Sequence, residues 1–557
     1  MTILPFGGIQ DWDLDVGRGQ FLRVGVIAVR PMINCLALAF FTLFLLAPGA
    51  WAQGRTSPME SITEAELRDH IFFLASDFLR GRQTSSDGFR VAAEYSAVHL
   101  RQAGLQTLYA DSSGVPSFFH NVQFVYSRVS RSAEMIIRAE DSEMALAYGD
   151  GFQLQEVMAT GVDRSTDDTP VFVGYGIEEP ELGWNDFEGL DLEGRVAVMV
   201  AGAPTKSGEP ILPAEESHRY GNLRESISRR VESAMSHGVT TLIVVIDQGS
   251  TDIWEMISRR FRGPSTRVAS EGQERDPVPA LSELILLKPE TSVGLLAGTG
   301  FDPISGEGEY TTGPMEGVRI SLTIPHDVEP AFTSPNVVGL LPGTDPVLKD
   351  EYIVVTAHLD HLGVRSGEVF NGADDNASGS AAVLEVAEAM AMDPGRRSVL
   401  FVLLTGEEMG LLGAYAFAGD PPVPAEHMVL NINLDMVGRN SGDFPDALLA
   451  LGSGNGRAGL LEMIREVNGE VGAPLDLRLN QGDDAQGYLA RSDQFAFMQK
   501  GVPAILITHG FSGRDYHRPT DDPETVNYQK VLRAARSTLA LVREAANRED
   551  LEFDGSR

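Results

Sequence analysis

Short apolar runs bounded by turn residues recur along the second half of the chain. An apolar run of this length between turn residues predicts a buried strand. Helices predicted over Ala377–Met392 and Asn527–Ala546 alternate with these strands. The alternation favours an α/β fold, with a mixed central sheet flanked by helices on both faces. The four runs are Tyr352–Ala357, Ser398–Leu404, Met428–Leu434 and Val502–Thr508.

The pattern differs between residues 140 and 315. Thr240–Ile246 is strongly apolar and Leu223–His237 predicts a helix, but no predicted strand there ends in a histidine–carboxylate pair. A chain of 557 residues is expected to form two or three domains. We therefore predict a smaller, β-rich α/β domain inserted into a larger one. The predicted bounds are 53–139 and 316–547 for the larger domain, 140–315 for the insert and 548–557 for a polar tail.

The uncharged stretch Met32–Gly54 precedes these domains. Its apolar part is followed by Ala50-Trp51-Ala52, a small-x-small pattern typical of a signal-peptidase site. We predict a signal peptide over 32–52, cleavage after Ala52, and a secreted or periplasmic protein. Translation from Met32 would leave residues 1–31 out of the protein, and an uncleaved membrane anchor is the alternative.

Composition narrows the choice of partners and chemistry. The net charge of -35 argues against nucleic acid and anionic membranes as partners. The single cysteine, Cys35, lies before the predicted cleavage site, so a metal would have to bind oxygen and imidazole. We find no His-Glu-x-x-His motif, no phosphate-binding Gly-x-x-x-x-Gly-Lys loop, and no Gly-x-Ser-x-Gly elbow after an apolar strand.

Polar residues at or beyond the carboxyl ends of the four runs form a candidate metal site. Because a catalytic zinc normally has three protein ligands, five candidates suit two metals if one carboxylate bridges them. Two metals roughly 3.5–4 Å apart polarise a carbonyl and lower the pKa of a shared water. The candidate ligands are His358, Asp375, Glu408, Asp435 and His517.

Two more carboxylates have predicted roles beside these ligands. Glu407 adjoins the ligand Glu408 and is the candidate general base. Asp360 follows His358 by two residues, and we expect its carboxylate to accept the other ring N–H of that histidine. Each motif alone is also typical of loops, caps and solvated surfaces, so the prediction depends on their order along successive strands. Four nearby residues are expected to support the ligands or the fold: His361, Asp374, Asp493 and His509.

Five motifs together resemble the bacterial di-zinc aminopeptidases, metallopeptidase family twenty-eight, over about 60–140 and 318–545. They are His358-Leu-Asp360, Gly372-Ala-Asp-Asp375-Asn-Ala-Ser-Gly379, Thr405-Gly-Glu-Glu408-Met-Gly-Leu-Leu-Gly413, Asn433-Leu-Asp435-Met and Asp515-Tyr-His517. The resemblance implies a zinc-exopeptidase fold of the phosphorylase/hydrolase-like kind and a peptide or protein substrate. It assigns one zinc to His358 and Asp435, a second to Glu408 and His517, and Asp375 as the bridge. Glu407 would be the general base, Asp360 the orienting carboxylate, and the Asp375–Asn376 peptide bond would be cis.

The insert resembles a protease-associated domain over Val171–Ile177, Trp184–Val198 and Ala234–Val245. Such a domain implies substrate gating or protein contact. Other functions on the same fold stay open: a carboxypeptidase acting on acidic peptides, a single-zinc glutaminyl cyclase, or an inactive receptor-like protein. The complete set of five ligands argues against the last two. Many relatives have Ser-Asp-His where this chain has Ser492-Asp493-Gln494, so we expect an effect on the pocket rather than on the metals.

Overall fold

The computed structural model describes residues 56–139, 142–156, 163–206, 208–246, 254, 265–269, 282–306, 308–440, 445–453, 457–471, 474–480, 488–511 and 513–551. The predicted signal peptide over 32–52 and residues 552–557 of the predicted tail lie outside the described residues. None of the helices within these ranges is long and apolar enough to span a membrane.

The α-helices of the described chain are α1 (Pro58–Ser61), α2 (Glu64–Leu74), α3 (Asp87–Gln102), α4 (Ala214–Gly221), α5 (Leu223–Ser236), α6 (Pro289–Leu296), α7 (Gly379–Met392), α8 (Leu412–Gly419), α9 (Arg457–Val471), α10 (Gln494–Gln499) and α11 (Tyr528–Asn547). Single 3-10 turns lie at Asp77–Arg82, Pro180–Leu182, Leu348–Asp350, Ala425–His427, Arg478–Asn480 and Pro523–Thr525, and Ala373–Ser378 forms an irregular π-type turn. Helix α7 carries small or apolar side chains on nearly every side because it is buried between the central sheet and other helices.

The strands are β1 (Tyr109–Ala110), β2 (Pro116–Ser117), β3 (Phe119–Val129), β4 (Glu134–Ala139), β5 (Ser142–Ala147), β6 (Phe152–Glu156), β7 (Arg164–Asp168), β8 (Val171–Phe172), β9 (Glu178–Glu179), β10 (Trp184–Asn185), β11 (Val196–Val200), β12 (Thr205–Lys206), β13 (Glu209–Pro210), β14 (Thr241–Val245), β15 (Ser265–Val268), β16 (Glu283–Leu287), β17 (Gly313–Pro314), β18 (Val318–Ile324), β19 (His326–Leu341), β20 (Tyr352–His358), β21 (Gly363–Arg365), β22 (Glu368–Phe370), β23 (Ser398–Leu404), β24 (Met428–Leu434), β25 (Leu449–Ser453) and β26 (Ala504–Thr508).

An eight-stranded mixed sheet forms the centre of the larger domain, in the order β15-β3-β19-β23-β20-β24-β26-β25. Strands β23, β20, β24 and β26 are parallel to one another, whereas β15, β3, β19 and β25 pair antiparallel with their neighbours. Helices α2, α3, α7, α9 and α11 pack on one face, and α8 and α10 pack on the other. The predicted fold class, a mixed sheet with helices on both faces, is confirmed.

The middle of the chain builds a second layered structure. A six-stranded sheet, β17-β8-β11-β14-β16-β6, has four parallel strands at its centre. One face packs on α5, and the other shares a hydrophobic cluster with the four-stranded sheet β5-β4-β18-β7. The division at 140 and 315 stays a prediction; strands β4 and β18, which lie just outside it, belong to this second cluster.

Strands β3 and β19 connect the two structures. They pair antiparallel from His326–Val129 to Val337–Phe119, and only the Asn336–Leu341 end of β19 is largely buried in the central sheet. The sequence predicts β19 over Asn336–Leu341 alone. The preceding residues of β19 pair with β3 outside the core, so they carry no alternation of buried and exposed positions that a pattern could reveal.

Candidate metal centre

The four central parallel strands bring the candidate ligands to one edge of the sheet. His358 is the last residue of β20 and lies opposite Leu404, the last residue of β23. Asp435 directly follows β24, and Glu407 and Glu408 lie just beyond β23. Parallel neighbours end at the same edge, which is where α/β folds gather polar side chains for chemistry. The sequence-predicted residues are thus brought together by the topology.

The first group of ligand atoms belongs to His358, Asp375 and Asp435. His358 Nε2 lies 3.2 Å from Asp375 Oδ1 and 3.3 Å from Asp435 Oδ1. All three side chains are buried. Their donor atoms lie within 4.8 Å of one another, as ligands around one ion must.

The second group uses the other oxygen of the same aspartate. His517 Nε2 lies 3.3 Å from Asp375 Oδ2 and 3.2 Å from Glu408 Oε2. Because Asp375 presents Oδ1 to one group and Oδ2 to the other, its carboxylate has the arrangement of a bridge between two ions. The histidine side chain is 37% exposed, so this side of the centre faces the solvent.

The separations between donor atoms fit a zinc ion. Zinc binds imidazole and carboxylate at about 2.0–2.1 Å in tetrahedral geometry, which places two ligands of one ion about 3.3 Å apart. The four measured separations, between 3.2 and 3.3 Å, match that value. They exceed the usual charge-assisted hydrogen bond of about 2.7–2.9 Å. The separations in both groups of donor atoms therefore fit zinc, and Asp375 contributes an oxygen to each group.

The electrostatics also favour cations here. Burial lowers the pKa of His358, but the carboxylates of Glu407 and Asp435 raise it more, to well above its ordinary value. Burial lowers the pKa of His517 as well, but hydrogen bonds that its ring donates to Asp375 and Glu408 outweigh burial, so the pKa rises to about 9. A field that favours protonated imidazole also favours a metal ion on the same nitrogen.

The partner of the other ring nitrogen of His358 differs from the sequence prediction. The sequence predicts the Asp360 carboxylate as the acceptor, but Nδ1 lies 3.0 Å from the backbone carbonyl oxygen of Asp360. The chain turns sharply after β20, which brings that carbonyl back to the ring. The Asp360 carboxylate instead accepts from Thr84 Oγ1 at 2.8 Å and from the backbone N–H of Glu407 at 3.1 Å. Asp360 therefore orients both the histidine and the Glu407 loop, through two different groups.

Glu407 lies beside the candidate ligands but farther from His358 than Asp375 and Asp435 do. Its Oε2 is 3.9 Å from His358 Nε2, and its side chain is 13% exposed. Burial raises the pKa of Glu407 well above its ordinary value, and the neighbouring Asp435 and Asp493 raise it further. Burial also raises the pKa of Asp493, to about 8. A carboxylate with a raised pKa beside a metal position is suited to accept and release a proton near neutral pH.

His361 lies at the centre itself, although the sequence predicts only a supporting role for it. Its Nδ1 lies 2.7 Å from Glu408 Oε1, and its donor atom falls within the same 4.8 Å group as those of Asp375 and Glu408. The separation of 2.7 Å is shorter than the 3.2–3.3 Å between the other donor atoms. His361 Nδ1 thus lies next to Glu408 Oε1, while Glu408 Oε2 faces His517.

A second set of contacts supports the turn that carries Asp375. The Asp521 carboxylate accepts from the backbone N–H groups of Asp374 and Asp375, at 3.0 and 3.1 Å. Arg439 donates to Asp521 at 2.6 Å and to Asp515 at 3.1 Å, which links this turn to the loop that carries His517. Isolated acidic or basic residues in loops carry no pattern, so nothing in the sequence distinguishes this network beforehand.

The backbone is strained around the centre. Seven described residues other than glycine have a positive φ: Arg80, Arg82, Ser85, Ser366, Leu411, Met436 and His517. His517 is a candidate ligand, Met436 follows the ligand Asp435, and Leu411 lies in the Glu407–Glu408 loop. Such conformations persist where the surroundings enforce them, and they cluster at functional sites. The Asp375–Asn376 peptide bond is cis, as the resemblance implies.

Comparison with known proteins identifies the family of the region that carries the candidate ligands. Residues 336–542 match the model of peptidase family M28. This part of the chain belongs to peptidase family M28. All five candidate ligands lie inside the M28 region, whereas the segment before residue 336 lies outside it. The predicted family is therefore confirmed, and the protease-associated character of the insert stays a prediction.

Individual relatives are similar over part of their length. The chain is 26% identical over 224 residues to aminopeptidase YwaD of Bacillus subtilis, covering 39% of this chain and 46% of that protein. It is 25% identical over 250 residues to a probable leucine aminopeptidase of Arthroderma otae, covering 43% of this chain and 66% of that protein. The chain thus spans between about half and two thirds of these relatives. The solved aminopeptidase from Aneurinibacillus sp. strain AM-1 superposes with a TM-score of 0.43 at 17% identity, covering 89% of this chain and 97% of that one.

Proposed function

We propose that this protein is a metal-dependent aminopeptidase that uses two zinc ions to release amino acids from the N-termini of peptides. The observation that carries the proposal is the pair of donor groups that share Asp375 at tetrahedral separations. His358 and Asp435 would hold one zinc, and Glu408 and His517 the other. The family match and the names of the relatives, aminopeptidases among them, support the same chemistry.

Zinc bound at these residues would polarise the scissile carbonyl and lower the pKa of water. The residues of the chain then have separate tasks. Glu407 accepts the proton of the attacking water and returns it to the leaving nitrogen, which requires a carboxylate close to the ligands but not bound like them. The Asp360 carboxylate accepts from the backbone N–H of Glu407 and so holds the Glu407 loop. The backbone carbonyl of Asp360 accepts from His358 Nδ1 and so sets the tautomer of that histidine.

The other functions are weighed against the same geometry. A single-zinc cyclase would need only one group, and here both groups have complete donors at matching separations. An inactive receptor-like protein would not need Glu407 beside an intact centre. A carboxypeptidase remains the second candidate, because the centre itself does not depend on which end of the peptide is bound.

Two parts of the proposal concern regions outside the centre. We propose that the protein is exported, because the uncharged stretch 32–52 ends in a small-x-small pattern. We also propose that the insert is a protease-associated domain that contacts substrate or protein. Its β15 pairs with β3 at the edge of the central sheet, next to α8, which follows the Glu407–Glu408 loop. An insert placed there lies close to the elements that carry the base.

The test combines metal content with hydrolysis by the purified chain. Zinc per chain is measured by elemental analysis, and a panel of amino-acid p-nitroanilides is assayed before and after chelation. We expect about two zinc ions per chain and chelator-sensitive release of p-nitroaniline. Two metals with cleavage of only C-terminally free peptides would transfer the assignment to a carboxypeptidase. A chain that binds no zinc after zinc is added back would overturn the proposal.

A further inference from the structure

The segment Arg80–Ser85 reaches the metal centre although it lies about 270 residues earlier in the sequence. The Arg82 side chain is fully buried. Its Nε donates to Leu359 O at 2.9 Å, Nη1 donates to Asn371 O at 2.7 Å, and Nη2 donates to Gly372 O at 2.9 Å. Nη1 also donates to Leu74 O at 2.5 Å, at the end of α2. All four acceptors are backbone carbonyls.

Three of those carbonyls, of Leu359, Asn371 and Gly372, belong to two loops that carry candidate ligands. Leu359 lies between His358 and Asp360, and Gly372 directly precedes the turn that contains Asp375. One guanidinium therefore joins the loop after β20 to the loop before α7. Arginine is suited to this because its planar fork presents several N–H donors in fixed directions.

The segment also reaches the third ligand loop. Thr84 Oγ1 donates to Asp360 Oδ2, and Asp360 Oδ1 accepts from Glu407 N. The backbone N–H of His361 donates to Arg82 O at 3.3 Å. The loops that carry His358, Asp375 and Glu407 thus all connect to two side chains of one short segment.

The backbone of the segment is adapted to a narrow space. Arg80, Gly81, Arg82 and Ser85 all have φ between 47° and 70°. A Cβ at Gly81 would lie 2.2 Å from Phe370 O and 2.7 Å from Gly363 O, so only glycine fits between β21 and β22. Strained backbone together with a buried charge is unfavourable unless the surroundings enforce it, and at a site this points to a role in function.

We infer that Arg82 and Thr84 are positioning residues of the metal centre: Arg82 fixes the two loops that carry His358 and Asp375, and Thr84 fixes the Asp360 carboxylate that holds the Glu407 loop. This inference rests on the proposed metal-dependent function. It predicts that loss of the Arg82 donors loosens the hold on the metal, beyond any loss of stability.

Arg397 offers a matched control. It is also buried, and it donates to Ala545 O at 3.1 Å and Glu351 Oε2 at 2.7 Å. It lies at the amino ends of β20 and β23, opposite the metal centre. Arg397→Met and Arg82→Met both remove a buried guanidinium, and only the second is expected to affect the metal.

The experiment compares zinc release from the wild type, Arg82→Met and Arg397→Met to a chromophoric chelator, with thermal midpoints measured in parallel. We expect both variants to melt earlier, Arg82→Met to release zinc at least about tenfold faster, and Arg397→Met to stay within about twofold of the wild type. Equal release from the two variants overturns the inference while leaving the proposed function in place. A wild type that binds no zinc overturns the proposed function and the inference with it.

Thr84 provides a second test that tolerates a failure of Arg82→Met to fold. Thr84→Val keeps the shape but loses the hydroxyl, and Thr84→Ser keeps the donor. We expect Thr84→Val to lower kcat at least about tenfold with KM within about twofold, and Thr84→Ser to restore most of it. A Thr84→Val enzyme with wild-type kcat would overturn the positioning role of Thr84.

Discussion

Replacing Glu407 by glutamine separates proton transfer from metal binding. Glu407 Oε2 lies 3.9 Å from His358 Nε2, whereas the ligand oxygens lie 3.2–3.3 Å from their histidines. The side chain therefore lies next to the centre, farther from His358 than the candidate ligands Asp375 and Asp435. A carboxamide has the same shape as a carboxylate, and the hydrogen bond from the backbone N–H of residue 407 to Asp360 is unchanged. We expect Glu407→Gln to keep about two zinc ions per chain.

The size of the effect follows from the role. A positioned acid–base group contributes about 10²–10⁴ in rate, which corresponds to about 3–5 kcal/mol on the barrier. The free energy of unfolding is expected to rise in Glu407→Gln or to stay unchanged. Burial disfavours the charged form of Glu407, and Asp435 and Asp493 repel it, so a neutral side chain removes an unfavourable interaction.

The assay measures kcat on the best p-nitroanilide, zinc content, and the thermal midpoint for Glu407→Gln and for Glu408→Gln. The second variant is the control, because Glu408 Oε2 lies 3.2 Å from His517 Nε2 and its loss is expected to release metal. The reasoning is refuted if Glu407→Gln keeps more than about a tenth of the wild-type kcat. Loss of zinc from Glu407→Gln would instead show that this carboxylate is a ligand.

Three further predictions concern the centre, pH and the core. Asp375→Ala is expected to lose both zinc ions and Asp435→Ala only one, because Asp375 alone contributes to both groups; elemental analysis of the two variants decides this. Burial lowers the pKa of Lys530 to about 8, so between pH 8 and 10.5 the unfolded chain binds a proton that the folded chain has released. Urea unfolding of the wild type should therefore gain stability over that pH window relative to Lys530→Met, and parallel curves would contradict it. Phe417→Ala should cost about 3–5 kcal/mol in the same assay, because Phe417 is fully buried between α8 and the sheet, and a loss below about 1 kcal/mol would disagree.

Much of the central domain could be predicted because its parallel strands are short, continuous apolar runs. Strands β23, β24 and β26 are buried along nearly their whole length, so each leaves a clear signal in the sequence. The first part of β19 was missed for the opposite reason, since it pairs with β3 away from the core. Strands β4 and β18 belong to the second hydrophobic cluster through partners far along the chain, which a local pattern does not predict.

The candidate ligands could be found from the sequence because each one follows an apolar run, and the M28 resemblance orders them. The supporting residues had no such signal. Arg82 acts through backbone carbonyls, and any loop can offer a carbonyl, so no residue type marks its partners. The acceptor for His358 Nδ1 was predicted wrongly for a related reason. The residue, Asp360, was right, but the direction of the chain after β20 selects its carbonyl instead of its carboxylate.

The sequence alone therefore determined the strand and helix pattern, the chemistry of the donor set and the family of the region that carries it. These depend on residue identity and on the local pattern of apolar and polar positions, which the sequence shows directly. The tertiary structure alone decided that His361 contacts Glu408, and that the carbonyl rather than the carboxylate of Asp360 faces the His358 ring. It also decided that a segment before the insert fixes the ligand loops. Those features depend on distances between residues far apart in the chain, which only packing sets.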